Sequence, residues 1–287
     1  MTNRHELGKV LHETLTTMTA AKNRKRRDAD AVVVMQDAGR SFGERVVLSG
    51  LKLTVRGGEV LGVVGPNGGG KSTLLLLMSG LLRPTTGHVL VCGIEAHTLS
   101  LTAAGSVGLV TARPGLYPLL TGRENLRHFG GLFGLSPHEV DEKAEPLTRA
   151  LELTTGFDER VGQLSTGMQQ KLSLIRALLL SPKLLLFDEP TANLDPLAAK
   201  TLYAEVRRRA DQGLACVLVT HDLAAAEAAC DRVLIIEGKV KRELRFTDRQ
   251  APRTGPLLTA WQEVIGARSG GAPLGCGAER ATSDGPG

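Results

Sequence analysis

One glycine-rich string constrains this chain more than any other feature of its sequence. Gly65-Pro66-Asn67-Gly68-Gly69-Gly70-Lys71-Ser72-Thr73 follows the β-branched run Glu59–Val64 and overlaps the start of a predicted helix, Ser72–Leu82. Glycines let backbone N–H groups turn inward around phosphate oxygens, and the positive end of the following helix adds to that attraction. The string predicts a phosphate-binding loop in which Lys71 reaches the β and γ phosphates and the Ser72 hydroxyl ligates Mg²⁺.

A second pattern places two carboxylates at the end of a predicted strand. The apolar run Lys183–Phe187 is followed directly by Asp188 and Glu189. Acids at the carboxyl ends of parallel strands lie where α/β sheets bind ligands, beside the phosphate-binding loop. We therefore assign Asp188 to holding Mg²⁺, directly or through water, and Glu189 to polarising the attacking water.

The other predicted elements indicate an α/β fold. Ala31–Val34 and Leu51–Val55 have strand patterns and are joined by a polar turn around Gly43. Ala215–Thr220 lacks polar alternation, as does Lys183–Phe187, which is typical of parallel strands covered on both faces. The prediction is a phosphate-loop NTPase core with a mostly parallel sheet, flanking helices and an N-terminal antiparallel β part.

A helical subdomain at about 113–164 is predicted as an insertion into this core. Apolar residues recur there at helical spacing, and four of them are expected to share one face: Leu126, Phe129, Leu132 and Phe133. The whole ATPase domain is predicted over 31–246. Residues 1–30 form a basic extension, and 247–287 form a second extension with a short helix near 257–266 and a disordered end.

Composition excludes several classes of protein. No window approaches ~18 uninterrupted apolar residues, which excludes a transmembrane helix, and the first thirty residues lack the apolar stretch of a signal peptide. The four cysteines lie far apart without a Cys-x-x-Cys pair, so neither a disulfide framework nor a zinc site is expected. These features predict a cytosolic chain.

The net charge of +5 is concentrated in a short arm. Residues 1–30 carry seven Lys/Arg against four Asp/Glu, whereas residues 31–247 keep a surplus of only +2. A basic face for nucleic acid is therefore not expected. For the arm itself, a flexible extension, a contact with anionic lipid and a start-codon artefact stay open.

An eight-residue string ahead of a predicted helix carries the most specific resemblance in the chain. Leu164-Ser165-Thr166-Gly167-Met168-Gln169-Gln170-Lys171 is similar to the signature motif of the nucleotide-binding subunits of ABC (ATP-binding cassette) transporters. Its third and fifth residues depart from the family's Gly and Gln, whereas Ser165 and Gly167 match. The resemblance covers roughly residues 32–245 and implies an ATPase that uses ATP and Mg²⁺.

The signature also implies a second subunit. Ser165 and the N–H groups that open the following helix form an anion site, which in one chain points away from its own phosphate-binding loop. The resemblance implies that Ser165 and Gly167 complete the ATP site of a partner subunit in a head-to-tail dimer that holds two ATP molecules. An ordinary N-cap role for Ser165 is compatible with this.

Three further residues match positions of the family's motifs. Asp195, within Ala192-Asn193-Leu194-Asp195-Pro196, resembles the D-loop that lies along the dimer seam. His221 follows a predicted strand, where the family's switch histidine contacts the γ-phosphate. Phe42 occupies the place where the family stacks an aromatic ring on adenine. The resemblance implies three catalytic residues: Lys71, Glu189 and His221.

One position departs from the family. The family usually has Gln at the end of the strand that enters the helical insertion, where it contacts Mg²⁺ and the attacking water. Aligning Val107–Ala112 with that pattern puts Ala112 at this position. Neither Ala112 nor Arg113 offers an amide oxygen, which leaves open the turnover rate and the coupling to a membrane partner.

Two stretches, Gly115–Leu126 and Leu258–Ile265, resemble the drug- and polysaccharide-export branch of the family. The resemblance implies a subunit that hydrolyses ATP at the cytoplasmic, inner face of the cell membrane and energises a separate integral-membrane permease, for export. The second nucleotide-binding subunit is either another copy or a different chain. Two alternatives stay open: a soluble ATPase of this type without a transporter, and a weakly hydrolysing ATP-dependent regulator, which Ala112 suggests.

Overall fold

Two sheets of different kinds organise this protein, whose computed structural model describes residues 31–99, 105–246 and 255–269. Ten strands occur along the described chain: β1 (Ala31–Phe42), β2 (Arg45–Arg56), β3 (Val60–Val64), β4 (Thr86–Val91), β5 (Ile94–Glu95), β6 (Val107–Thr111), β7 (Leu184–Asp188), β8 (Ala215–Val219), β9 (Arg232–Glu237) and β10 (Lys239–Arg245). Seven α-helices occur in the same residues: α1 (Lys71–Met78), α2 (Gly122–Leu132), α3 (Pro137–Ala150), α4 (Thr166–Leu178), α5 (Pro196–Asp211), α6 (Leu223–Ala229) and α7 (Pro256–Ser269).

The six-stranded sheet is parallel except at one edge. Its order is β10-β9-β3-β8-β7-β6, and β10 runs antiparallel to β9. Every residue of β3 and β8 is buried, because side chains cover both faces of the sheet. Leu185 and Phe187 pack into a core on one face, and Leu184 and Leu186 into a core on the other. This arrangement confirms the predicted mostly parallel α/β core.

The second sheet is antiparallel and has the order β2-β1-β4-β5. β1 and β2 pair from Ala31 opposite Arg56 to Phe42 opposite Arg45, across a turn at Gly43. Both strands are much longer than the runs predicted from the sequence. The pairing confirms the N-terminal antiparallel β part.

Helix α1 ends earlier than the predicted Leu82. Its last residue is Met78, and Gly80 has φ +78°, a left-handed conformation that stops an α-helix. The N–H of Leu82 returns to the carbonyl oxygen of Leu76 at 3.0 Å, which closes the turn. The predicted helix is therefore correct in position and too long at its C-terminus.

Two capped helices, α2 and α3, form the predicted insertion. Thr121 and Ser136 each accept a hydrogen bond from the backbone N–H three residues on, and Glu124 and Glu139 complete both capping boxes. These local signals explain why both helices begin where they do.

The apolar face predicted for α2 is partly wrong. Leu126 is buried, whereas Leu132 and Phe133 are exposed. The helix turns Gly130 toward α3, where a Cβ on Gly130 would lie 2.4 Å from Cγ2 of Val140. The close approach of two helices at a glycine, rather than the apolar spacing alone, decides which face is buried.

Helix α7 covers the predicted short helix near 257–266 and extends beyond it at both ends. Its Leu257 and Ala260 are buried in the core that also contains Ala226 of α6. None of the described helices has the length and apolar content that spanning a membrane requires. The basic extension at 1–30 and the predicted disordered end lie outside the described residues, and the domain division stays a prediction.

Candidate nucleotide-binding site

The carboxyl ends of three neighbouring strands bring predicted site residues together. β3, β8 and β7 are adjacent in the sheet and end at Val64, Val219 and Asp188. The phosphate-binding loop follows β3, His221 follows β8, and Glu189 follows β7. Because these parallel strands share one carboxyl edge, residues far apart in sequence lie side by side.

The phosphate-binding loop surrounds its own lysine. Gly70 is the N-cap of α1, so the positive helix end opens onto the loop. Lys71 is 8% exposed, and its Nζ donates to the carbonyl oxygens of Gly65 at 2.9 Å and Pro66 at 3.1 Å. A Cβ on Gly65 would lie 2.3 Å from the carbonyl oxygen of Ile236, so only glycine fits there. The ammonium group is held inside the loop, where phosphate oxygens would be stronger acceptors.

The rest of the loop is open at its tip. Asn67 and Gly68 are exposed, Gly69 is buried and Thr73 is half-buried. The N–H of Gly69 donates to the carbonyl oxygen of Pro66 at 3.0 Å, which closes a tight turn. The exposed tip keeps the loop accessible to a ligand from solvent.

Ser72 and Asp188 form a pair suited to a divalent cation. Ser72 Oγ donates to Asp188 Oδ1 at 3.3 Å. Burial raises the pKa of the Asp188 carboxyl; the Ser72 hydrogen bond lowers it, Glu189 raises it and Lys71 lowers it. A cation would offset the burial of this charge, and oxygen donors are what Mg²⁺ prefers. The hydroxyl and carboxylate oxygens of Ser72 and Asp188 therefore fit Mg²⁺. Among the described residues no three His, Cys, Asp or Glu side chains form a metal cluster.

Glu189 and His221 contact each other directly. His221 Nδ1 and Glu189 Oε2 are 2.5 Å apart, and the histidine side chain is 73% exposed. Glu189 has φ +51°, a left-handed conformation that costs a non-glycine residue about 1–3 kcal/mol and persists only where its surroundings enforce it. Its N–H donates to the carbonyl oxygen of Val219 at 3.0 Å. The pair combines a carboxylate base with an imidazole that a ligand can reach.

Phe42 lies at the end of β1 and is 48% exposed rather than buried in the core. The Arg40 guanidinium lies over its ring at 4.6 Å from the centroid. Arg45, the cross-strand neighbour of Phe42, comes within 3.9 Å of the place where a Cβ on Gly68 would lie. The Phe42 ring is therefore exposed, and its cross-strand neighbour reaches the tip of the phosphate-binding loop; an exposed ring of this kind can stack on a base.

Ser165 and Asp195 each cap a helix. Ser165 Oγ accepts from the N–H of Met168 at 3.2 Å at the start of α4. Asp195 Oδ1 accepts from the N–H groups of Leu197 and Ala198, both at 3.0 Å, at the start of α5. Within the described residues no hydrogen bond or ion pair links either cap to the phosphate-binding loop.

Gly167 lies where these two helix starts meet. A Cβ on Gly167 would lie 3.7 Å from Cβ of Ala198, an ordinary contact distance, and no nearer atom of the described chain would obstruct it. Packing within the chain therefore does not require glycine at this position.

Ala112 lies beside the acid pair, at the end of β6. Its N–H donates to the carbonyl oxygen of Asp188 at 3.0 Å. Two side-chain amides that the sequence analysis missed contact this strand end: Gln170 Nε2 donates to the carbonyl oxygen of Thr111 at 3.1 Å, and Asn193 Nδ2 to that of Ala112 at 3.3 Å. Gln170 lies in the string that resembles the signature and Asn193 in the string that resembles the D-loop, but no local pattern assigned either amide to this strand end.

Known proteins share this sequence pattern. The family described as ABC transporter matches residues 48–192. Nod factor export ATP-binding protein I of Rhizobium sp. (strain N33) is 39% identical over 198 residues, which is 69% of this chain and 65% of the relative. The uncharacterized ABC transporter ATP-binding protein YdbJ of Bacillus subtilis (strain 168) is 35% identical over 77% of this chain and 72% of the relative.

Solved structures share the fold as well. The ATP-binding subunit of an ABC transporter, 30% identical, superposes with a TM-score of 0.71 over 82% of this chain and 99% of that chain. A dimeric ATP-binding cassette in a post-hydrolysis state, bound to ADP and Pi, is 28% identical and has a TM-score of 0.67 over 75% of this chain and 99% of that chain. With the phosphate-binding loop, the acid pair and the signature string in one order, this chain belongs to the family of ABC transporter ATP-binding proteins.

Proposed function

We propose that this chain is the ATP-hydrolysing subunit of an ABC exporter whose membrane permease is a separate chain. The observation that carries the proposal is the Glu189–His221 contact of 2.5 Å at the carboxyl edge of the sheet. A carboxylate held there, next to a phosphate-binding loop, is a general base for water attack on a terminal phosphate.

Each group at this edge has a chemical task in the proposal. Lys71 and the loop N–H groups bind phosphate oxygens, and Ser72 and Asp188 hold Mg²⁺, which when bound offsets the charge that develops on the phosphates. Glu189 accepts a proton from the attacking water. His221 orients the Glu189 carboxylate and donates to the terminal phosphate.

A second nucleotide-binding subunit follows from the signature. Ser165 opens α4, and the glycine at 167 has no packing reason within the chain. A helix N-terminus with no side chain in front of it accommodates an anion at close range. We propose that this anion is the γ-phosphate of ATP bound to the other subunit of a dimer.

Export through a permease rests on two observations. Four apolar side chains are exposed on or next to the helical insertion, and they would suit a protein partner: Tyr117, Leu119, Leu132 and Phe133. The curated relatives include several named for Nod factor export. In this proposal the subunit docks on the permease at the inner face of the cell membrane.

Steady-state ATP hydrolysis by the full-length chain tests the enzymatic part. Glu189→Gln should lower the rate by about 10²–10⁴-fold while ATP still binds, because the amide cannot accept the proton. Glu152→Gln is a matched control: Glu152 is an exposed glutamate that also has positive φ, and its substitution should leave the rate unchanged. A wild type that is as inactive as Glu189→Gln would favour the weakly hydrolysing regulator that Ala112 suggests.

Affinity purification from detergent-solubilised membranes of the native host tests the permease. A polytopic protein that co-elutes in stoichiometric amount is the expected result. Recovery of the chain without such a partner would favour an ATPase of this family that works without a transporter.

A further inference from the structure

We propose that Asn193 is a positioning residue, whose side-chain amide in the loop after β7 holds the backbone at position 112. The inference rests on the proposed ATPase function. In this view the amide of Asn193 ties the end of β6 to the loop that begins at Glu189, and so keeps the general base in place.

The end of β6 needs such a tie because β6 is the edge strand of its sheet. Among the described strands β6 pairs with β7 alone, and this pairing ends at Thr111 opposite Asp188, so the carbonyl groups of Thr111 and Ala112 find their partners on side chains. Gln170 Nε2 donates to the carbonyl oxygen of Thr111 at 3.1 Å, and Asn193 Nδ2 donates to that of Ala112 at 3.3 Å. The same Ala112 peptide donates to the carbonyl oxygen of Asp188 at 3.0 Å, so it is held between the acid-bearing strand and Asn193.

The chemistry of the contact requires an amide. A carbonyl oxygen accepts but cannot donate, so the Asn193 atom that faces Ala112 is Nδ2. Ala112, Arg113 and Asn193 line a cavity of about 350 Å³, where a longer side chain at position 112 would have room.

The loop that Asn193 anchors carries the strained residue of the site. Glu189 has φ +51°, and this conformation lasts only while its neighbours enforce it. The N–H of Ala192 donates to the carbonyl oxygen of Glu189 at 3.2 Å, so Asn193 directly follows the turn that starts at the base. Release of Asn193 from Ala112 would let the loop relax and move the Glu189 carboxylate.

ATP turnover by full-length variants tests this role. Asn193→Ala and Asn193→Asp should both lower kcat by about 10- to 100-fold with the KM for ATP unchanged, because displacement of a catalytic group affects the chemical step. Aspartate has the size of asparagine and lacks the N–H donor. Gln212→Ala, an exposed amide at the opposite end of the sheet, is the control and should match the wild type.

Wild-type kcat in Asn193→Ala or in Asn193→Asp would overturn the inference. Hydrogen exchange of peptides that cover residues 107–116 gives a readout that does not depend on hydrolysis. Both Asn193 variants should exchange faster there, and unchanged exchange overturns the inference. If the wild type hydrolyses no ATP, the proposed function fails and the exchange result alone decides the role of Asn193.

Discussion

Two groups of residues in this molecule are expected to bind ATP, and they differ in how their polar atoms are hydrogen-bonded. At the carboxyl edge of the parallel sheet the side chains contact one another: Ser72 with Asp188 and Glu189 with His221. At the starts of α4 and α5, the Ser165 and Asp195 side chains within the described chain accept hydrogen bonds from N–H groups of their own helices. The hydrogen bonds of the first group form within one chain, whereas the contact that we propose for the second group is with ATP on a partner subunit.

The largest effect expected at the carboxyl edge of the sheet comes from His221→Ala. Without the imidazole, the Glu189 carboxylate loses its partner at 2.5 Å, and we expect ATP hydrolysis to fall by about 10²-fold or more with nucleotide binding retained. Steady-state hydrolysis and a nucleotide-binding titration measure the two quantities. His138→Ala is the control, since His138 faces Glu142 on the exposed surface of α3. An equal loss in both variants would contradict a specific role for His221.

Substitution of alanine for one glycine near each group should affect stability at Gly65 and hydrolysis at Gly167. Gly65→Ala forces a Cβ to within 2.3 Å of the carbonyl oxygen of Ile236, and we expect the free energy of unfolding to fall by about 1–3 kcal/mol. Gly167→Ala meets no such obstacle, so stability should be unchanged while hydrolysis by the dimer is lost. Urea unfolding and ATPase assays on both variants give the comparison. A stability loss at Gly167 would mean that its role lies within the chain.

Loss of a cap should have a smaller effect, on stability. Ser165→Ala removes the acceptor for the N–H of Met168, and helix caps of this kind contribute about 0.5–2 kcal/mol. Asp195→Ala should cost a similar amount. Because Ser165 is proposed to bind a phosphate as well, Ser165→Ala should in addition weaken nucleotide-dependent dimerisation, which light scattering detects. Full dimerisation of Ser165→Ala would leave the N-cap as its whole role.

The smallest expected effect is a dependence of stability on pH. The pKa of Asp188 is raised, chiefly by burial, so the folded state binds this proton more tightly than the unfolded chain does. The folded state is therefore penalised as pH rises from about 4, the usual value, through the raised pKa. Asp188→Asn should then raise the midpoint of thermal unfolding at pH 8 and lose that advantage toward pH 4. An advantage that grows on acidification would contradict this assignment.

How well the sequence predicted each region depends on whether the signal was local. The loop at 65–73, the strand before Asp188 and the N-cap at Ser165 are all set by residues close in sequence, and all appear where they were predicted. The buried face of α2 was predicted less well, because it depends on where Gly130 meets Val140 of another helix.

By itself the sequence determined which chemical groups this protein has and in what order: a glycine loop with its lysine, two acids after an apolar strand, and a signature string ahead of a helix. Only the tertiary structure decided which of them meet. Parallel strands β3, β8 and β7 lie side by side, so Lys71, Glu189 and His221 converge on one edge although 150 residues separate the first from the last. The contact of Asn193 with Ala112 is of the same kind: a hydrogen bond between side chain and backbone across 81 positions follows from the packing of the loop against an edge strand, and no local pattern encodes it.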